Sequence, residues 1–243
     1  YKVYGELINT YGYNLEPGSK ELTALNYYTN EEITIPLDPT QTPGENAQRY
    51  FAKYNKQKRT FEALTELIQE TADDIQYLES ISNALDIALN EADLAQIKEE
   101  LMQSGYIRRK HTKKKVKLTS KPMHYISSDG YDMYVGKNNL QNEELTFSFA
   151  NGNDWWFHAK GAPGSHVIVK SGGGELPDRT FEEAGRLAAY YSKNRGADKV
   201  EIDYIQIKHV KKPNGAKPGF VVYYTNYSLV IDSDISNIKN VQD

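Results

Sequence analysis

From Glu45 to Asn90 the chain contains neither glycine nor proline, and apolar residues recur at three- and four-residue steps: Phe51, Tyr54, Phe61, Leu64, Ile68, Ala72, Ile75, Leu78, Leu85 and Leu89. That spacing lays a one-sided stripe along an α-helix. Thr42-Pro43-Gly44-Glu45 supplies its start: Thr42 can cap, Pro43 suits the first helical position, and Glu45 completes a capping box. At 1.5 Å per residue such a helix is roughly 70 Å long. A small domain cannot cover it, so the stripe is expected to face another long helix. Polar breaks at Lys58 and Thr65 make the pattern coiled-coil-like and not a strict zipper. The alternative is two ordinary helices broken near residues 71–74.

The elements on either side are shorter. Lys2–Ile8 suits the last turns of a helix, and strands are expected near Glu21–Tyr28 and Glu32–Pro36 with Asn30 in the turn. A helix over 91–103 should stop at Gly105. Past Pro122, two strands (His124–Ile126, Met133–Val135) flank Ser128-Asp129-Gly130, a hairpin signal. Asn142–Ala150 reads as a short helix, and Trp155–His158 and His166–Lys170 as strands. Thr180-Phe181-Glu182-Glu183 reads as a second capping box, opening a helix to about Asn194. Lys199–Val210 and Phe220–Val230 read as two long strands. Strands that mostly follow one another favour a largely antiparallel domain, so the fold class is α+β: a long helical coiled-coil arm, then a compact domain.

Charge is partitioned along the chain. Residues 1–107 carry 8 Lys+Arg against 18 Asp+Glu, residues 108–121 carry 8 basic groups and no acid, and residues 122–243 carry 13 and 15. A chain of net charge −4 can thus present a local cationic surface to a phosphate backbone. The run Arg108, Arg109, Lys110, Lys113, Lys114, Lys115, Lys117 reads as a flexible linker between segments 1–107 and 122–243, and its Arg108, Arg109, Lys113, Lys114 and Lys115 are candidate RNA contacts, because so many positive groups without an acid are costly unless something anionic meets them. There is no cysteine, which excludes disulfides, thiolate catalysis and cysteine-ligated zinc and fits a reducing cytoplasm. No apolar run is long enough to cross a bilayer, so no membrane partner is expected. The start, Tyr1-Lys2-Val3-Tyr4, lacks an initiator Met, a basic n-region and an apolar h-region, as in an excised fragment without a signal.

Three constellations could bind RNA. In Asp154-Trp155-Trp156-Phe157-His158-Ala159-Lys160-Gly161-Ala162-Pro163-Gly164-Ser165-His166 the three consecutive aromatics alternate sides, so one tryptophan should lie near the surface. Trp156, His158, Lys160, Ser165 and His166 would join flat rings and cations to the anion-holding amides of a tight loop, which single-stranded or looped RNA requires. The competing reading makes the aromatics core and the histidines loop anchors. Gly136-Lys137-Asn138-Asn139 offers a phosphate contact from Lys137 and base or sugar contacts from Asn138 and Asn139; it lacks the P-loop frame, and a capped helix start is the competing reading. Lys208, Lys211, Lys212 and Lys217 form a basic loop that could equally be solvated. A metal site built on His158 and His166, with Asp154, would need converging ligands. Ser165 next to His166 is poor geometry for a nucleophile, since neighbours on a strand point apart.

These segments resemble a known family. Gly136–Asn142, Trp156-Phe157-His158, Pro163-Gly164-Ser165-His166 and Val210–Gly219 look like the RNA-binding C-terminal domain of the NFACT family. Tyr4-Gly5-Glu6-Leu7, Ile35–Pro39 and Glu45–Phe51 resemble its middle coiled-coil segment. The resemblance implies a non-catalytic ribosome quality-control factor of the cytoplasm, with no cofactor, catalytic residue or metal. Its partners would be the large ribosomal subunit carrying an obstructed peptidyl-tRNA, ribosomal RNA and tRNA, and it would recruit tRNA for untemplated C-terminal tailing, mainly with alanine in bacteria. The family's N-terminal and helix-hairpin-helix parts lie outside this sequence, so the piece should bind without completing a tailing cycle. The family commonly carries an acidic or amide residue where Gly161 stands. Other readings are a surface adhesin binding fibronectin, after a label borne by bacterial members, and a metal-dependent hydrolase using His158 and His166.

Overall fold

A computed structural model describes residues 1–108 and 120–241. They form two compact units, Tyr1–Asp73 and Asp74–Asp243, divided inside one helix. The fold class is α+β, a long helix followed by an antiparallel sheet domain.

In the first unit, helix α1 (Lys2–Tyr11) precedes the antiparallel hairpin β1 (Glu21–Asn26) and β2 (Glu31–Pro36). Asn30 turns the hairpin with φ of 57°, a conformation asparagine tolerates. Helix α2 (Pro43–Ile87) begins as its sequence dictates: Thr42 Oγ1 accepts from the Glu45 amide at 3.3 Å, and Glu45 Oε2 accepts from the Thr42 amide at 2.7 Å. Leu7, Ile8, Leu22, Ile35, Ala47 and Tyr50 form the core. α1 passes so close to α2 that a Cβ on Gly5 would stand 2.8 Å from the Phe51 ring.

The long helix is unbroken, but its stripe is not covered as expected. Residues 55–76 are all exposed, including Phe61, Leu64, Ile68 and Ile75. In the second unit, α3 (Glu91–Gln103) lies against α2 through Tyr77, Ile81 and Ala84, which pack on Ile97 and Leu101. Leu78, Leu85 and Leu89 stay exposed. The buried seam follows the face that α3 meets, rotated from the stripe the sequence suggests.

The sheet of the second unit has strand order β8-β7-β5-β6-β4-β3-β9: β3 (Met123–Ile126), β4 (Asp132–Val135), β5 (Trp155–Ala159), β6 (Val167–Val169), β7 (Val200–Gln206), β8 (Tyr227–Ile231) and β9 (Lys239–Asn240). All its strand pairs are antiparallel. Helix α5 (Asp178–Tyr190) covers one face, burying Phe157, Val167, Val169, Ala184, Leu187 and Ile202. The other face carries Trp156, Ile168 and Ile205 beneath Leu145, Val210 and Tyr223. Leu145 belongs to a π-helical turn (Leu145–Phe149) that follows α4 (Asn139–Glu144), so the helix expected over 142–150 starts earlier and changes type midway.

Two further expectations change. Thr180 does not cap α5, whose N-cap is Pro177; its hydroxyl donates to Asp129 Oδ2 at 2.9 Å, while Glu183 accepts from the Ser128 amide at 2.7 Å. The expected strand over 220–230 is regular only from Tyr227; before it, Val222 makes an isolated bridge to Lys211, and Thr225 is left-handed with φ of 59°.

Candidate nucleic-acid interface

The Gly136–Asn142 motif opens α4. Asn138 caps it by accepting from the Gln141 amide at 3.0 Å, and a Cβ on Gly136 would stand 2.2 Å from Asn142 Oδ1 and 3.0 Å from the Asn142 amide. The remaining side chains turn toward α3. Lys137 Nζ lies 3.2 and 3.3 Å from the Asp93 oxygens. Asn138 and Gln141 both donate to Gln96 Oε1, at 2.8 and 2.7 Å. Asn139 donates to Ser80 Oγ at 2.7 Å and Glu100 Oε1 at 2.8 Å. Lys137, Asn138 and Asn139 are buried. Expected from the sequence to meet RNA, they instead fasten α4 to the helices.

Two carboxylates receive this network. Burial opposes ionisation of Asp93, but hydrogen bonds from Ser120 and the Leu89 amide, with the Lys137 ammonium, outweigh it and hold the carboxyl below its ordinary range. Burial pushes Glu100 up, against hydrogen bonds from Asn139 and Tyr77. Sequence reasoning missed both residues. Their spacing of seven on α3, which puts them on the face of Ile97, was the available signal.

The second constellation is buried too. Strand alternation directs Trp155, Phe157 and Ala159 toward α5, and Trp156 and His158 to the opposite face. There Trp156 is fully buried against Tyr223 (5.0 Å between ring centroids), His166 (5.1 Å) and His158 (5.5 Å), so its ring is closed to a base. Trp155 is the tryptophan nearer the surface, half-buried among Phe181, Tyr204 and the exposed Tyr227. His166 and Ser165 are buried. His166 Nδ1 meets Thr146 Oγ1 at 2.8 Å, and its amide donates to Asn142 Oδ1 at 2.9 Å. The two motifs therefore meet, Asn142 of one against His166 of the other. The Pro163–Gly164 loop is tied to the end of α5: the Ser165 amide donates to Tyr191 O and the Lys193 amide to Pro163 O, each at 2.9 Å, and Gly164 pairs with Ser192.

His158 is half-buried. Burial pushes it down to about 4, against a hydrogen bond to the Gly164 backbone and the charge of Asp203. Burial, then the neighbouring His158, holds His166 well below the ordinary histidine range. Both rings are neutral near pH 7 and add no positive charge. Among the described residues no three His, Asp or Glu side chains converge as metal ligands. At Gly161, φ is +63°; Asp and Asn are the side chains that best tolerate that conformation, so a family preference there needs no ligand contact.

The remaining cations are on the surface, mostly paired. Lys160 pairs with Glu201, Lys212 with Glu143 at 2.7 Å, and Lys217 with Asp74 while lying 4.5 Å from the Tyr77 ring centre. Exposed ion pairs contribute little, roughly 0–1 kcal/mol, so Lys160 and Lys212 can exchange carboxylate for phosphate. Lys208 and Lys211 are exposed without an acidic partner among the described residues, and Arg108 is exposed. Arg109, Lys113, Lys114 and Lys115 lie outside the described residues.

Comparison with known proteins bears on what this surface meets. The family description "NFACT N-terminal and middle domains" matches residues 1–120, and "NFACT protein RNA binding domain" matches residues 121–224. The Rqc2 homolog RqcH of Streptococcus pneumoniae serotype 2 is 44% identical over 239 residues, covering 98% of this chain and 43% of the relative. The Rqc2 homolog RqcH of Bacillus subtilis is 41% identical over 245 residues, covering 98% and 42%. The chain thus spans about two fifths of the length of these relatives. A solved structure, the C-terminal part of the fibronectin/fibrinogen-binding protein from Streptococcus suis, superposes with a TM-score of 0.73 at 37% identity, covering 97% of this chain and 83% of that one. No helix among the described residues is long and apolar enough to cross a membrane.

Proposed function

Since the chain belongs to the NFACT family, we propose that it is the RNA- and ribosome-binding part of a cytoplasmic ribosome quality-control factor, acting by binding and not by catalysis. The observation that carries this reading is the RNA-binding-domain match over 121–224, coincident with most of the sheet domain and preceded by eight basic groups without an acid in 108–121. Such a stretch gains by releasing counterions from a phosphate backbone. The partner is the large ribosomal subunit with an obstructed peptidyl-tRNA, held through ribosomal RNA, and tRNA is recruited for untemplated alanine tailing. Arg108, Arg109, Lys113, Lys114 and Lys115 make phosphate contacts, joined by Lys160, Lys211, Lys212 and, once freed from Asp74, Lys217.

The test is co-sedimentation of the intact protein with large subunits over a salt series. Replacing Arg108, Arg109, Lys113, Lys114 and Lys115 by alanine should weaken binding and flatten its salt dependence by roughly one unit of slope per lost contact. Salt-independent or absent binding sinks the reading. Mass spectrometry of stalled nascent chains tests the tailing step: the same variant should shorten or abolish alanine tails.

A second reading, fibronectin binding, rests on the name of the Streptococcus suis structure. Saturable binding of immobilised fibronectin at physiological salt, with detection of the protein outside intact cells, would support it.

A further inference from the structure

Resting on the RNA-binding reading, we infer that Phe149, with Tyr134 and His124 beside it, Lys170 over its ring, exposed Phe147 on the same turn and Lys208 next to Gly152, forms a stacking platform for unpaired bases of single-stranded or looped RNA. The residues that resembled an RNA site are largely buried; this surface is open and lies inside the matched RNA-binding region.

The platform is made by the π-helical turn. The Ala150 amide closes it on Leu145 O at 3.0 Å, and the extra residue keeps Leu145 in the core while turning Phe147 and Phe149 outward, 39% and 42% exposed. π-Helical turns are rare and often sit at functional sites. Each ring leaves about two fifths of its surface in water, so the fold forgoes part of the roughly 1.5–3 kcal/mol that full burial of a phenylalanine would contribute.

The rings continue across the sheet. Phe149 meets Tyr134 edge-on at 4.7 Å, and Tyr134 stacks on His124 at 4.5 Å with 4° between planes. Lys170 Nζ stands 4.8 Å from the Phe149 centroid, fixed by Asp154 Oδ2 at 2.5 Å and Phe149 O at 3.4 Å. Asp154 also accepts from the Asn151 amide at 2.7 Å, and Gly152 O accepts from the Lys208 amide at 3.1 Å. One turn thus links the rings to an ammonium held in place and to a lysine without an acidic partner among the described residues. Of the neighbouring acids, Asp132 is held by His124 at 2.7 Å and Asp154 is buried against Lys170, while exposed Glu144 lies three residues before Phe147. Exposed Asn151 and Asn153 supply amides for base edges and sugar hydroxyls. Flat rings beside cations bind bases already out of a helix, because every base has a face to stack.

The test measures binding of a fluorescent single-stranded 12-mer RNA, and of a duplex of equal length, to the intact protein. Phe147→Ala/Phe149→Ala should lose roughly tenfold or more in affinity for the single strand, with little change for the duplex and an unchanged salt slope. Lys208→Ala should lower the slope by about one unit. Phe147→Leu/Phe149→Leu, which keeps apolar volume without a flat ring, should show the same loss and guards against a folding artefact. Photo-crosslinking of 4-thiouridine RNA to the unaltered protein should map to Phe147, Phe149 or Tyr134. Unchanged affinity in the Leu variant, or crosslinks confined to the Trp155–Tyr227 face, overturns the platform while leaving RNA binding intact. A protein that co-sediments with large subunits but ignores the 12-mer also overturns it; one that binds neither overturns the parent reading as well.

Discussion

Lys137 donates to both carboxylate oxygens of Asp93, at 3.2 and 3.3 Å, with both side chains buried. A lysine in a Gly-Lys-Asn-Asn frame reads as a phosphate ligand, yet here it answers a carboxylate of its own chain. Breaking a buried pair from one side leaves an uncompensated charge, which costs about 3–5 kcal/mol. Lys137→Met should therefore lower stability in urea melts by that amount. Lys137→Met with Asp93→Asn, which removes both charges, should recover part of the loss. A Lys137→Met protein of unchanged stability but weakened RNA binding would reinstate the phosphate role.

Acid should destabilise the domain through His158 and His166. The ordinary histidine value is 6.5; burial lowers His158 to about 4 and holds His166 well below that ordinary value. The unfolded chain therefore takes up protons first, and stability present above pH 6.5 is lost as pH falls toward 4. Each proton the fold excludes costs about 1.4 kcal/mol per pH unit. Thermal melts from pH 7.5 to 4.5 should show this loss, and His158→Asn should reduce its slope. A slope unaffected by that change would point to other groups.

Glu100 works in the opposite sense. Burial raises it above the ordinary glutamate value of 4.5, and its Oε2 has no hydrogen-bond partner among the described residues. Its contribution is present below that value and is lost as pH rises through the folded value, when a charge must be kept in the network. The melting temperature of Glu100→Gln relative to the unaltered protein should shift in the variant's favour between pH 4.5 and 8. A constant difference would show that the carboxyl does not titrate in this range.

Gly136→Ala should be costly without touching any charge. The new Cβ would meet Asn142 Oδ1 at 2.2 Å and backbone atoms of Asn142 at 3.0 and 3.2 Å. Backbone cannot yield as a side-chain tip can, and overpacking costs typically about 1–3 kcal/mol. Circular dichroism melts should record that loss. A neutral result would mean that α4 can move away from β4.

Much of the fold was legible because its signals are local. Thr42 and Glu45 cap α2 as their spacing dictates, Asn30 turns the first hairpin, and Gly105 follows α3 with φ of +82°. Where partners distant in sequence compete, local signals lose. Thr180 and Glu183 have capping-box spacing but are taken by Asp129 and Ser128. Residues 220–226 have strand composition, yet Tyr223 is drawn to Asp203 at 2.9 Å and to the Trp156 ring. The candidate site was hardest to read, because residue type does not show burial. Lys137, Asn138, Asn139, Trp156, Ser165 and His166 have the chemistry of an RNA site and the exposure of a core. Phe147 and Phe149, whose composition suggests core, stand in solvent through one extra residue in a helical turn.

Gln96 Oε1 takes donors from both Asn138 and Gln141, and Gln141 also donates to Ser120 Oγ at 2.8 Å, itself bonded to Asp93. The members of this mesh depend on one another, since releasing one donor leaves its partly buried neighbours short of a hydrogen bond. Amide hydrogens of α3 and of α4 should consequently exchange with solvent deuterium at one common rate, as a single cooperative block that opens whole or not at all.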